Sequence, residues 1–223
     1  MRVAWQLEEG LSYLARRDAR MAAAIEELGG IYRTGGEPVF TGLLQAIVGQ
    51  QISLRAADTV WKRLTETLGE VTPERVAAAS EAELQACGMS FRKAAYLREA
   101  AQAVTSGALQ LSALETADDE TVIRQLTALR GVGRWTAEML LIFSLERPDV
   151  MSYDDFGLRK GLCRLYHHRE MNRARFERYR RRFHPYGTAA SLVLWEIAGG
   201  RAERACALPL RGAGSTDSKG GDA

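Results

Sequence analysis

The stretch TALRGVGRWTAEML, residues 127–140, places two glycines one residue apart just ahead of an apolar helical pattern. A glycine inside a helix costs about 1 kcal/mol relative to alanine, so Gly131 and Gly133 predict a turn with unusual backbone geometry or a close approach. We predict a helix that ends at Leu129, a turn through both glycines, and a second helix that begins near Trp135. The amides that open the second helix suit an anion, although an inert helix–helix turn explains the same short pattern.

Apolar residues recur at spacings of three and four along almost the whole chain, which predicts an all-α protein of about ten helices. Sequence signals mark where several helices begin and end. Starts are indicated at Asp18, Ser53, Thr72-Pro73, Asn172 and the capping box Ser80–Glu83. Stops are indicated at Gly29-Gly30, Gly69, Gly88, Gly107 and Gly199-Gly200. The helix over 40–48 is apolar on nearly every side and is predicted to lie centrally.

The composition, 46% apolar over 223 residues, predicts one sizeable core or two small lobes that share a cleft. No apolar run approaches the ~20 residues of a membrane span, and the first ten residues lack a signal-peptide core, so we predict a cytoplasmic protein without membrane contact.

The three cysteines, Cys87, Cys163 and Cys206, are widely separated and favour neither a disulfide framework nor a zinc site. Residues 212–223 have the composition of a disordered tail.

Positive charge is concentrated late in the chain. Between residues 159 and 182 there are ten lysines and arginines against two glutamates, although the whole chain has a net charge of only +2. A solvated helix face and a footprint for a polyanion both explain such a run. The polyanion interpretation is favoured only if other motifs support it.

Three motifs in a fixed order resemble the helix-hairpin-helix (HhH-GPD) DNA repair glycosylases. They are the pattern LxGVGxxTA within 129–137, the segment DVMSYDDFGLRK over 149–160, and AIVGQQIS over 46–53. The resemblance extends over about residues 38–200. It implies a two-lobed all-α fold with the active-site cleft between the lobes. We expect one glycosylase unit over 1–211, with lobes of about 38–145 and of 1–37 plus 146–211.

The position two residues after the second hairpin glycine distinguishes the branches of this superfamily. Members that also nick the strand carry a lysine nucleophile there, whereas this chain has Trp135. The four cysteines of the iron–sulfur branch are also missing. The tryptophan in GVGRWTA resembles the 3-methyladenine DNA glycosylase II group, and we expect a compact form without that group's N-terminal β-rich domain.

The resemblance implies a chemical role for four residues. Asp155 corresponds to the catalytic carboxylate, which would stabilise the positive charge that develops on the sugar, and Asp154 is expected to cap the following helix, with a capping role alone as the alternative for either aspartate. Trp135 and Trp195 correspond to tryptophans that stack on the flipped base, with core packing as the alternative for each. Met139 stands where the family has a pocket tyrosine.

Further residues are expected to contact DNA. Gly131, Val132, Gly133 and Thr136 correspond to the hairpin that grips a phosphate, with Val132 also pinning the turn into the core. Backbone carbonyls of Thr127, Leu129 and Val132 are expected to hold a monovalent cation, Na or K. The turn Gln50-Gln51 corresponds to the wedge that fills the gap left by the flipped nucleotide, with Gln51 as the inserted residue and an ordinary loop amide as the alternative.

The resemblance therefore predicts a monofunctional DNA glycosylase. It would excise alkylated bases, chiefly 3-methyladenine and 7-methylguanine, from double-stranded DNA as a monomer, with no required cofactor and no iron–sulfur cluster. One alternative is a non-catalytic HhH module that binds damaged or distorted DNA. Another is a glycosylase for deaminated or oxidised bases. An aromatic slot beside an isolated acid favours catalysis, and cation–π attraction favours a cationic alkylated base.

Overall fold

A computed structural model describes residues 5–31 and 36–208, which form fourteen helices and no strand and confirm the all-α prediction. The predicted tail over 212–223 lies outside the described residues. In chain order the helices are α1 (Trp5–Arg17), α2 (Ala19–Leu28), α3 (Val39–Gly49), α4 (Leu54–Leu68), α5 (Pro73–Ala78), α6 (Glu81–Ala86), α7 (Phe91–Thr105), α8 (Leu111–Thr116), α9 (Asp119–Thr127), α10 (Arg134–Phe143), α11 (Phe156–Tyr166), α12 (Arg173–Phe183), α13 (Gly187–Ala198) and α14 (Glu203–Ala207). The prediction of about ten helices was too low, because α5, α6, α8 and α14 have six residues or fewer and show little apolar period.

The predicted helix starts are confirmed by hydrogen bonds at the N-caps. The side chains of Asp18, Ser53, Thr72 and Asn172 each accept a backbone N–H from the first turn of the helix that follows. Ser80 and Glu83 form the reciprocal capping box. These signals are local, since a short polar side chain satisfies an N–H group that the helix itself leaves unpaired.

The described residues form two compact units, one of residues 36–152 and the other of residues 5–31 with 153–208. The first unit contains α3 to α10. As predicted, α3 is central: it packs on α4, α7 and α10, and six of its residues are buried.

The second unit contains α1, α2 and α11 to α14, so it is built from both ends of the described chain. Its most extensive pairing is α11 against α13. Gly161 allows this close approach, because a Cβ at that position would overlap the backbone carbonyl of Leu194.

Every helix in residues 5–31 and 36–208 is too short or too polar to cross a lipid bilayer.

Candidate active site

The predicted hairpin is present in the first unit. Helix α9 ends at Thr127 and α10 begins at Arg134 with Gly133 as its N-cap. The first helix therefore ends two residues earlier than the predicted Leu129. The reason is a tightening of the backbone, in which Leu129 N–H donates to Leu126 O at 3.1 Å and Val132 N–H donates to Leu129 O at 3.2 Å.

The two hairpin glycines serve different purposes. Gly131 has a φ of +82°, and a Cβ there would overlap the ring of Tyr96, so this glycine is required by the turn and its packing. Gly133 has a φ of −93°, and a Cβ there would meet nothing within 4 Å. The backbone at Gly133 is thus open to a close approach from outside, whereas Val132 between them is buried.

The first turn of α10 presents an aromatic side chain. Trp135 is 42% exposed, and Met139, one turn further on, is half-buried. Residues four apart lie on the same side of a helix, so these two side chains share a face. Thr136 is buried, which leaves its backbone amide as the group for the predicted phosphate contact. The exposure of Trp135 suits stacking on a ligand better than the alternative of core packing.

The turn after α3 is tied to the hairpin by hydrogen bonds. Gln50 donates from Nε2 to Gly131 O at 2.8 Å. Lys93 on α7 donates from Nζ to Val48 O at 2.7 Å and to Gln50 O at 2.6 Å, and burial lowers the pKa of this lysine. The side-chain amide of Gln50 is thus used within the unit itself. Gln51 follows, exposed and with a φ of +59°, a conformation that costs energy for a residue with a side chain.

Lys93 was not identified from the sequence. It lies in a helix some 40 residues from the turn that it holds, and a lysine beside an arginine at the start of a helix carries no sequence signal of such a bond. Its ammonium group meets carbonyls at the C-terminal end of α3, where the helix dipole favours a cation.

Asp155 lies in the second unit at the start of α11. It is 8% exposed, and its Oδ1 accepts the N–H of Leu158 at 2.7 Å and the indole N–H of Trp195 at 2.9 Å. Asp155 itself is the N-cap of α11, so the assignment of the cap to Asp154 was wrong. Asp154 is exposed, whereas the first turn of the helix begins one residue later and takes Asp155 as its cap.

Gly157 makes room for the contact between Asp155 and Trp195. A Cβ at Gly157 would lie 2.8 Å from Trp195 Cδ1 and 3.0 Å from Asp155 Oδ1, closer than the atoms tolerate. In the sequence, Gly157 stands out only as part of the segment that resembles the glycosylases. The positively charged end of α11 and the indole N–H both stabilise a carboxylate at this position.

Two arginines lie over the ring of Tyr153, two residues before Asp155. The guanidinium carbons of Arg159 and Arg173 lie 5.4 Å and 4.9 Å from the ring centroid of Tyr153, which itself meets Phe176 edge-on. Phe156, next to the acid, is 72% exposed. An exposed aromatic ring and two cations beside a buried carboxylate form a surface suited to an aromatic, anionic ligand.

The predicted site residues fall into two groups. Gln50, Gln51, Trp135, Met139 and the hairpin belong to the first unit, and Asp155 and Trp195 to the second. The roles predicted for them in catalysis and DNA binding stay predictions. Within the described residues, no cluster of three or more His, Cys, Asp or Glu side chains could hold a metal ion.

Known proteins resemble this chain over most of its length. The HhH-GPD superfamily of base excision DNA repair proteins matches residues 44–185. DNA-3-methyladenine glycosylase 1 of Schizosaccharomyces pombe is 34% identical over 70% of this chain and 71% of its own length. The crystal structure of a DNA-3-methyladenine glycosidase from Bacillus halodurans has a TM-score of 0.75 at 36% identity and covers 85% of this chain and 89% of the other. The 3-methyladenine DNA glycosylase Mag1 of S. pombe, in complex with abasic DNA, has a TM-score of 0.75 at 30% identity over 84% of this chain and 95% of the other.

Proposed function

Because the chain belongs to the HhH-GPD superfamily of base excision DNA repair proteins, we propose that it is a monofunctional DNA glycosylase for alkylated bases. It would act on 3-methyladenine, 7-methylguanine and related lesions in double-stranded DNA and leave an abasic site. The observation that carries this proposal is the buried carboxylate of Asp155, oriented by the N–H groups of Leu158 and Trp195. Capping α11 requires only the bond from Leu158, so the second donor, which comes from α13, favours a catalytic carboxylate over a helix cap alone.

The reaction begins with removal of the damaged nucleotide from the base stack, because the anomeric carbon is inaccessible in the duplex. We assign Gln51 the role of filling the gap, since it is exposed and follows a turn that Gln50 and Lys93 hold in place. The hairpin would grip the backbone through amides near Gly133, where the backbone is open to a phosphate.

The flipped base would stack on the exposed indole of Trp135, with Met139 beside it on the same face. An alkylated purine carries a positive charge, so an indole face favours it over a neutral base by about 0.5–2 kcal/mol. Loss of the base develops positive charge on the sugar, and the Asp155 carboxylate stabilises that charge and can orient the attacking water. A cationic base leaves without a general acid, so one carboxylate suffices.

The absence of lyase chemistry follows from residue 135. A lysine there would form a Schiff base with the sugar, and the tryptophan in this chain has no nucleophilic amine. The product would therefore be an intact strand with an abasic site. We also propose that the enzyme works as a monomer; its cytoplasmic localisation stays a prediction.

A monovalent cation would fit beside the hairpin. The carbonyl of Thr127 ends α9 and has no acceptor role inside the helix, and the carbonyl of Leu129 keeps one lone pair after accepting from Val132 N–H. With the carbonyl of Val132 they offer neutral oxygen ligands of the kind that Na⁺ and K⁺ prefer. Such a cation would strengthen the grip on a phosphate and takes no part in bond cleavage.

The first experiment compares the wild type with Asp155→Asn on alkylated duplex DNA, measuring released methylated bases and strand nicks before and after alkali. We expect base release by the wild type with nicks only after alkali, and a loss of rate of about 10²–10³-fold in the variant. Asp154→Asn is the matched control, because this exposed neighbour caps nothing and should release bases at nearly the wild-type rate.

Two outcomes would contradict the proposal. If the wild type binds DNA and releases no base, the non-catalytic binding module replaces the enzyme. If it nicks the strand before alkali, the monofunctional mechanism is wrong.

A further inference from the structure

A basic pocket lies in the second unit, away from Asp155 in sequence and along α11. It is lined by His168, Arg175, Arg178, Tyr179 and Arg182, and has a volume of about 280 Å³. Most of its wall is one face of α12, since residues 175, 178, 179 and 182 recur at helical spacings. We call it the α12 pocket.

The positive charge of the α12 pocket is only partly compensated. Arg182 pairs with Asp18 at 2.8 Å, and Arg175 donates from Nη1 to the backbone carbonyl of Glu170 at 2.6 Å. Arg178 is exposed, and among residues 5–31 and 36–208 no acid pairs with it. Three arginines close together with so little acid nearby create a positive potential that attracts an anion.

Two uncharged groups complete the lining. The Nε2 of His168 and the hydroxyl of Tyr179 are joined by a hydrogen bond of 2.7 Å. Burial, and then the nearby Arg175, Arg178 and His167, lowers the pKa of His168, and burial raises the pKa of Tyr179. The pocket thus combines guanidinium groups with neutral hydrogen-bonding groups, a combination that suits the oxygens of a phosphate group.

The α12 pocket is separated from the proposed catalytic residue by the length of a helix. Asp155 is the N-cap of α11 and His167, next to His168, is its C-cap. Eleven helical residues span about 16 Å at 1.5 Å per residue. One DNA strand advances about 3.4 Å per nucleotide, so about five nucleotides cover the same distance.

From these observations we propose that the α12 pocket binds a backbone phosphate of duplex DNA several nucleotides from the lesion. This inference rests on the proposed function, because it assumes that DNA lies against the second unit near Asp155. Such a contact does not depend on the identity of the bases, so it adds affinity for DNA of any sequence. It explains why the basic run continues well past the catalytic segment, to residue 182.

The test uses two arginines of the same helix that differ in one respect. Arg178 lines the pocket and Arg181 does not, while both are exposed and unpaired with an acid in the part of the chain that the structure describes. We would measure the affinity of the wild type, Arg178→Gln and Arg181→Gln for an undamaged duplex of about 20 base pairs, by fluorescence anisotropy at several salt concentrations. Urea unfolding would verify that both variants are folded.

For Arg178→Gln we expect an affinity about tenfold below that of the wild type, and a slope of log affinity against log salt shallower by about 1. Arg181→Gln should change both quantities much less. Equal effects of the two substitutions would overturn the proposal, because general charge loss would then explain them.

A parallel titration with inorganic phosphate distinguishes the source of the anion, with the NMR signals of the His168 ring as the readout. If phosphate shifts these signals in the wild type and not in Arg178→Gln while duplex affinity is unaffected, a free anion is the ligand and the DNA contact is wrong. Base release by the wild type distinguishes failure of the proposed function from failure of the α12 pocket proposal. If the wild type releases no base, the proposed function fails; if it does and the two variants bind DNA alike, only the α12 pocket proposal fails.

Discussion

The indole N–H of Trp195 controls how the Asp155 carboxylate is oriented. The hydrogen bond of 2.9 Å joins residues 40 positions apart in sequence, and it approaches from α13 while Leu158 N–H approaches from α11. A carboxylate held from two directions loses little entropy when the transition state forms. In the proposed mechanism Trp195 would therefore be a positioning residue, besides the base contact proposed for it.

Replacement of Trp195 by phenylalanine keeps an aromatic ring and removes the N–H donor. Because hydrogen bonds to charged groups contribute roughly 1.5–3 kcal/mol, we expect kcat for base release to fall about 10- to 100-fold with KM nearly unchanged. Gly157→Ala should produce a similar fall, because its methyl group displaces the same pair of atoms. Trp61→Phe, in the first unit, is the control and should keep the wild-type kcat. A wild-type kcat for Trp195→Phe would show that the bond has no role in the reaction.

The sequence predicts Asp155 and Trp195 as site residues, but it does not predict the hydrogen bond between them. Asp155 and Trp195 were each assigned by resemblance to a family motif, and nothing in either motif says that they touch. Gly157 carried the only local signal, since a glycine near the start of a helix indicates that something packs where its side chain would be. The neighbouring Asp154 was mistaken for the cap, because two adjacent carboxylates look alike until the first helical turn is placed.

At the scale of elements, the turn after α3 and the hairpin behave as one connected piece of the first unit. Gln50 joins the two through Gly131, and Lys93 on α7 holds the carbonyls that end α3. Gln51 has a left-handed backbone that isolated residues of its type avoid, so the surrounding bonds maintain it. For the wedge role proposed for Gln51, this rigid support would lower the cost of insertion into DNA.

Lys93→Met tests this connection, because methionine keeps the aliphatic stem and removes the ammonium group. We expect unfolding free energy to fall by about 1–2 kcal/mol, and base release from duplex DNA to slow more than release from a single strand, which needs no wedge. Lys62→Met on α4 removes a lysine that is 77% exposed and should leave both measurements unchanged. Equal slowing on duplex and single-stranded DNA would argue against a role in wedge support.

Helix starts were predicted correctly where residues close together in the sequence mark them. The N-caps at Asp18, Ser53, Thr72 and Asn172 and the capping box depend on residues three apart and were confirmed. The short helices α5, α6, α8 and α14 show too few turns for an apolar period to be recognised. The bonds of Lys93 depend on packing between distant helices, which no local pattern records.

At the scale of the whole molecule, Asp18 joins the two distant chain segments of the second unit. Its Oδ1 caps α2 by accepting from Arg20 and Met21, both at 3.0 Å. Its Oδ2 accepts from the Tyr166 hydroxyl at 2.8 Å and pairs with Arg182 at 2.8 Å. Burial, followed by the charge of Asp18, raises the pKa of Tyr166 and keeps its hydroxyl a donor. The sequence predicted the cap and missed the long-range half of this role.

Asp18→Asn preserves a capping side chain and removes the charge, so it isolates the long-range contacts. We expect the unfolding free energy to fall by about 2 kcal/mol, since a buried charged partner of Tyr166 and Arg182 is lost. Tyr166→Phe should lower it by about 1–2 kcal/mol, and the double variant by less than the sum of both. Urea unfolding measures all three, with Asp58→Asn, at an exposed position on α4, as the control. Additive losses would show that Asp18 and Tyr166 do not interact.

The discontinuity of the second unit has a consequence for biosynthesis. Helices α1 and α2 are translated before the first unit, yet their packing partners α13 and α14 are encoded only after the entire first unit. At about 5–20 residues per second, the ribosome needs on the order of ten seconds to reach them. Toward the end of that time the first unit has been translated in full and can fold. The apolar faces of α1 and α2, including Leu14 and Met21, still lack the helices that cover them in the folded protein. The second unit is therefore expected to form last. Until it forms, the nascent chain exposes apolar surface, so it is most accessible to chaperones and most prone to aggregation.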